Sequence, residues 1–183
     1  MLKAGVGISS GENAYTVGVD ACQEAVNEQS GVPKAVLVFS SVAYDQAEVL
    51  KGVRSVSGDA LLVGASTAGE ITTEGPANKH SVAVMTLASD SILFHAGGGK
   101  WLKENAKEAG RSAAQGVKAQ AGDALKFFMM FADGLSGNGS EAVRGVLEEL
   151  GPHFPVVGGS AGDDAGYKQT FQYYNGDVLS NAV

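Results

Sequence analysis

Ala60-Leu61-Leu62-Val63-Gly64-Ala65-Ser66-Thr67-Ala68-Gly69-Glu70 is the stretch on which the reading of this chain turns. Its apolar opening, Ala60 to Val63, reads as a buried strand. Gly64 to Gly69 then holds only small residues, which let the backbone turn sharply and approach another group closely. Glu70 closes the stretch with a carboxylate. The same grammar returns late in the chain. Pro155-Val156-Val157 leads into Gly158-Gly159-Ser160-Ala161-Gly162-Asp163-Asp164.

Working outward, the two stretches prove to be parts of two matching units. At an offset of 92 (97 − 5), Gly5 and Gly7 meet Gly97 and Gly99, and Glu12-Asn13-Ala14 meets Glu104-Asn105-Ala106. Gly18 meets Gly110, and Phe39 meets Phe131. With single-residue drifts at loops, Gly52 meets Gly145, Gly64 meets Gly158, Ser66 meets Ser160 and Glu70 meets Asp163. Residues 3–90 and 92–183 therefore read as duplicated β-α-β-α-β-β units. The expected fold is α/β, with mixed sheet or sheets flanked by helices and a pseudo-two-fold. That symmetry would bring the two small-residue loops to one cleft.

Within the first unit, residues 3–9 and 34–40 read as strands. Ser9 and Glu12 have capping-box spacing before a helix that runs to about Gln29. Asp45, with Glu48 three residues on, opens a second helix that Gly58 ends. Residues 81–87 and 91–96 read as a hairpin across Ala88-Ser89-Asp90. In the second unit a helix is expected from about Trp101 to Ala121, a strand over 126–131, and a helix capped by Asn138 and stopped at Gly151-Pro152. Residues 169–175 and 177–183 read as closing strands.

Composition narrows the function classes. A chain of 183 residues fits one domain or two very small ones, and 44% hydrophobic with 18% charged residues is globular, not disordered. The net charge of −7, without a Lys/Arg cluster, disfavours nucleic acid and anionic membranes as partners. It leaves cationic or zwitterionic small molecules open. Cys22 stands alone, excludes an internal disulfide and reads as a buried structural thiol. No apolar run approaches the ~18 residues that span a membrane. Met1-Leu2-Lys3-Ala4-Gly5-Val6 lacks a signal-peptide core. The expected location is the cytoplasm.

The loops carry the candidate chemistry. Consecutive N–H groups of a Gly/Ser/Thr turn make an anion-binding concavity. Ser66 and Thr67 add hydroxyls, and Glu70 adds a site for a cation. An α-amino acid fits that set. The competing reading is a crowded strand crossing that admits only small side chains. Asp133-Gly134-Leu135-Ser136-Gly137-Asn138-Gly139 follows a strand and opens a helix, a place suited to anions. It lacks the Lys-Ser/Thr of a phosphate-binding loop. Turn formation and capping are the alternative roles of Asp133 and Asn138. Gly158 to Gly162 satisfies G-x-S-x-G, but no helix with a good apolar face follows, and no histidine lies beyond His153. His80, His95 and His153 show no metal-ligand spacing.

Taken together, Val63 to Ile71, Asp133 to Asn138, Pro155 to Asp163 and Asn175-Gly176-Asp177-Val178-Leu179-Ser180-Asn181-Ala182 resemble the N-terminal (FIST N) region of the FIST family. The resemblance covers essentially the whole chain, residues 1–183. It implies an intracellular sensory domain of signal transduction, with small ligands as input and amino acids as the proposed class. It establishes no catalytic residues. A C-terminal FIST region normally follows and does not occur in this sequence, and residues 177–183 resemble 91–97, the opening of the second unit. The last strand then offers an edge suited to homodimer pairing.

The expectation is thus a ligand-binding input domain, not an enzyme, with no cofactor and no metal. Its ligand-binding residues are Gly64, Ser66, Thr67, Glu70, Asp133, Ser136, Asn138, Gly158, Ser160 and Asp163. Its partners are the small ligand and the C-terminal FIST region or downstream signalling outputs. The alternatives are a small hydrolase or transferase using Ser160 or Ser66, and a non-catalytic interaction module.

Overall fold

The computed structural model describes residues 1–72, 75–76 and 80–183. Its elements run β1 (Leu2–Ser10), α1 (Ala14–Gln29), β2 (Ala35–Ser41), α2 (Gln46–Ser57), β3 (Leu61–Thr67), β4 (Ile71–Thr72), β5 (Gly75–Pro76) and β6 (Ser81–Ser89). They continue with α3 (Ala106–Ala121), β7 (Phe128–Ala132), α4 (Gly139–Leu150), β8 (Val156–Ser160), β9 (Gln172–Tyr174) and β10 (Asp177–Leu179). The fold is α/β, as the sequence pattern predicts.

A six-stranded mixed sheet has the order β1-β6-β2-β3-β9-β10, and β7 and β8 form a separate parallel pair. Alternation along the strands decides the packing. Val36, Val38, Leu62, Val82 and Val84 are buried in one core with Val17, Ala21, Cys22, Val49, Leu50 and Val53 of α1 and α2. Burial pushes the Cys22 thiol up to about 11, as befits a structural cysteine. A second core joins Phe128, Met130 and Ala132 of β7 to Ala109, Ala113, Val117, Ala142 and Val146 of α3 and α4. Phe39 of β2 and Phe131 of β7 meet edge-to-face at 5.5 Å between the two sheets.

Several matched glycines make matched contacts. A Cβ on Gly18 would lie 2.4 Å from the Val49 carbonyl, and one on Gly110 2.0 Å from that of Ala142. Between paired parallel strands, a Cβ on Gly64 would fall 1.9 Å from the carbonyl of its register partner Val38, and one on Gly158 1.8 Å from that of its partner Met130. The sheets do not match in the same way. The first half supplies four neighbouring strands, β1-β6-β2-β3, whereas the second supplies a two-stranded sheet and lends β9 and β10 to the first.

Four local expectations are corrected. The small-residue stretch is not a turn from Gly64 onward: β3 continues through Thr67, and β8 likewise runs through Gly158 to Ser160. Small residues serve there because the backbone of the paired strand lies too close for a Cβ, as at Val38. The expected 81–87/91–96 hairpin does not form. β6 instead lies between β1 and β2, antiparallel to both, where its nearly continuous apolar run is buried. Helix α1 is capped by Asn13, whose side chain accepts from Thr16 N at 2.9 Å, and not by Ser9. Helix α3 begins at Ala106 behind Asn105, because Trp101 (φ 65°) opens a turn first. Asp45 and Asn138 cap α2 and α4 as expected.

Candidate functional site

The parallel strands β2 and β3 end side by side, Ser40 opposite Ser66 and Ser41 opposite Thr67. The carboxyl ends of parallel strands are where α/β sheets place ligands. The loop 161–169 folds onto this end. Gly162 N donates to Ser66 O at 2.9 Å and Asp164 N to Thr67 O at 3.2 Å. A Cβ on Gly162 would meet Ala68 N at 2.7 Å, so glycine permits the approach. The loops containing Ser66 and Asp163 therefore touch.

Contact consumes most of the groups it brings together. Ser66 is 1% exposed. Its hydroxyl donates to Gly162 O at 2.7 Å and accepts from Phe171 N at 2.9 Å. Glu70 is buried and accepts from the hydroxyls of Thr67 and Ser81. Asp163 accepts from Lys168 N at 2.6 Å and Gln169 N at 3.3 Å. Those backbone donors hold its carboxyl below the usual range, led by Lys168.

Asp133 closes β7 in a similar manner. It accepts from Leu135 N at 2.8 Å, Ser136 N at 3.0 Å and Asn181 N at 2.8 Å. Burial pushes its carboxyl up, but these donors and the Thr170 hydroxyl outweigh burial and leave it below the usual range. Ser136 is half-buried in that turn. Asn138 caps α4, and Ser160 is exposed at the end of β8. Gly158 lies against Met130 of β7 and Gly64 against Val38 of β2. Gly64 also reaches a second concavity, an apolar cleft of about 580 Å³ between β2, β3, α3 and β7.

Three residues outside the expected set form a mouth above Ser66 and Thr67, with buried Ser41 at its floor and exposed Asp164 and His80 at its rim. Ser41 Oγ donates to Asp164 Oδ2 at 2.6 Å, and His80 Nδ1 lies 3.5 Å from the same hydroxyl. Tyr44 OH donates to His80 O at 2.6 Å and holds that residue in place. Asp164 and His80 are exposed. Their backbones are left-handed, with φ of 53° and 67°, and Ala165 and Tyr167 follow at 60° and 52°. Left-handed backbone in non-glycine residues costs energy, on the order of 1–3 kcal/mol each, and clusters at ligand sites. Asp164, adjacent to Asp163, was within reach of the sequence reading. Ser41 and His80 carry no local signal, because tertiary structure alone brings them to Asp164.

The mouth offers a carboxylate oxygen, an imidazole and a hydroxyl within one hydrogen-bonding radius. It is not a nucleophilic triad. Ser41 Oγ donates its hydrogen bond directly to Asp164, so no imidazole stands between acid and hydroxyl.

A family model described as FIST N domain matches residues 34–183. No curated protein matches the chain. Among the described residues, no helix is long and apolar enough to cross a membrane.

Proposed function

The chain belongs to the FIST N domain family, a sensory family of signal transduction, and on that premise we propose that it is a cytoplasmic input domain for a small amino-bearing metabolite such as an amino acid. The ligand ammonium pairs with Asp164, and its acidic or polar end meets His80. Ser66 and the Thr67 carbonyl hold the two loops in register beneath, while Glu70 ties Thr67 to Ser81 and Asp163 braces its own loop. The observation that carries this reading is the exposed Asp164 carboxylate on left-handed backbone, beside His80, at the carboxyl ends of β2 and β3.

No catalytic step is assigned. The Ser66 hydroxyl donates to a backbone carbonyl and that of Ser41 to a carboxylate, so neither is poised as a nucleophile. Residues 3–90 and 92–183 are taken as two copies of one unit in a single domain. The output passes to a C-terminal FIST region or a downstream signalling protein.

A thermal-shift screen of amino acids and related amines tests the reading. A true ligand at 100 times its Kd adds about 2.7 kcal/mol of stability. Asp164→Asn removes that gain while leaving the unliganded melting curve nearly in place, since Asp164 is exposed. A library that shifts neither protein rules the reading out.

A further inference from the structure

The apolar cleft has the geometry of an unfilled place in a sheet. In the first half, β6 lies between β1 and β2 and runs antiparallel to both, with Ser10 opposite Ser81 and Ser40 opposite Val82. The second half has two comparable walls, residues 93–99 and β7. At the mouth between them, Lys100 bridges antiparallel to Ala182, Gly99 and Val183 exchange backbone hydrogen bonds of 2.8 Å, and Asp133 N donates to Ala182 O at 2.9 Å.

Below that mouth no backbone ladder joins the two walls among the described residues. Phe128 N donates to Pro155 O, toward β8, while Asp133 N donates toward Ala182. Strand alternation then turns the N–H groups of Met129 and Phe131 to the same side as that of Asp133. On that side β7 has no ladder partner among the described residues. The space is apolar on two faces, with Leu37, Leu61 and Val63 toward the six-stranded sheet and Ala113 and Val117 toward α3. Leu93 is 81% exposed, Phe127 48% and Met129 41%, as uncovered walls would be.

We propose that this cleft is the seat of one further β-strand: an extended, uncharged peptide, apolar on both faces, entering in line with Val183 and running antiparallel to both residues 93–99 and β7. Open backbone edges recruit strands, and two apolar faces select a continuous apolar run, as β6 itself carries in Val82-Ala83-Val84-Met85-Thr86-Leu87. The proposal is independent of the ligand reading at Asp164.

The test appends Val-Ala-Val-Met-Thr-Leu, the β6 sequence, after Val183, and compares it with Val-Pro-Val-Pro-Thr-Leu, which cannot donate at alternate positions. Hydrogen exchange is read at the Met129 and Phe131 amides. Slowing on the order of tenfold or more, with the proline-free extension only, is the expected result. Should the extended chain fail to fold, the free hexapeptide is titrated into the 183-residue protein and the same two amides are read. Equal exchange in both extensions, or no slowing at saturating peptide, overturns the proposal. So does an unextended chain that sediments as a dimer with those amides already protected, or one that retains a small apolar molecule in the cleft.

Discussion

β2 and β7 are the corresponding inner strands of the two halves, yet they live in different surroundings. β2 has β3 on one side and β6 on the other. β7 has β8 on one side and the apolar cleft on the other. Each is paired with a glycine whose Cβ would clash at nearly the same distance, Gly64 against Val38 and Gly158 against Met130. Their neighbours differ in burial: Leu62 of β3 is fully buried, whereas Val157 of β8 is 49% exposed. Similar local sequence thus sets similar close pairings. It does not complete the sheet, which depends on a strand arriving from elsewhere in the chain.

The sharpest way to break this comparison is to crowd both of these close strand pairings. Gly64→Val places side-chain atoms against the Val38 carbonyl inside a sheet bounded on both sides. A loss above about 4 kcal/mol is expected, enough to unfold the domain. Gly158→Val makes the same clash in a strand with an open edge, so the backbone can shift. The expected loss is about 1–3 kcal/mol. Urea denaturation measures both, and equal losses would mean that the two strands are held alike.

A milder pair removes side chains instead. Leu62→Ala leaves a cavity in the first core and should cost about 2–5 kcal/mol. Met129→Ala trims a side chain already 41% exposed toward the cleft. Its expected cost is within about 0.5 kcal/mol. If Met129→Ala proves as costly, the cleft is covered in solution.

A further test concerns the acids at the strand ends. The carboxyls of Asp133 and Asp163 are both held below the usual range in the folded protein. Their contribution is therefore complete above the unfolded value of about 3.9 and is lost as pH falls through the folded value. Stability should decline from about pH 4 downward. Asp133→Asn should lower stability at pH 7 by roughly 1–3 kcal/mol, through three weakened backbone hydrogen bonds, and flatten the acid limb. An unchanged acid limb in that variant would show that Asp133 is not among the groups responsible.

Much of the local fold was legible. Apolar runs marked β2, β3 and β7, and Asp45 and Asn138 marked the starts of α2 and α4. Asn13 and Asn105 stood in plain sight as matched residues of the expected repeat, yet their capping role emerged only from the structure. The site was legible in part. Ser66, Glu70 and Asp163 were singled out for hydroxyls and charge, and the structure spends them on internal bonds: Ser66 reaches across to Gly162 and Phe171, Glu70 ties Thr67 to Ser81, and Asp163 braces its own loop. Their spacing looked the same for ligand binding and for internal bonding, because the same donors and acceptors serve both. Ser41 and His80 were missed because nothing nearby in the chain distinguishes them.

What the amino-acid sequence determined by itself is short-range: which segments are helix or strand, where caps sit, and where only glycine fits beneath a crossing backbone. Those features depend on side-chain period and size within a few residues. The tertiary structure decided the rest. It placed β6 between β1 and β2 instead of beside residues 91–96, joined β9 to β3, and carried Asp164 to Ser41. Backbone hydrogen bonds are alike for any pair of strands, so pairing is chosen by which faces can be buried together. That choice exists only once distant segments share one core.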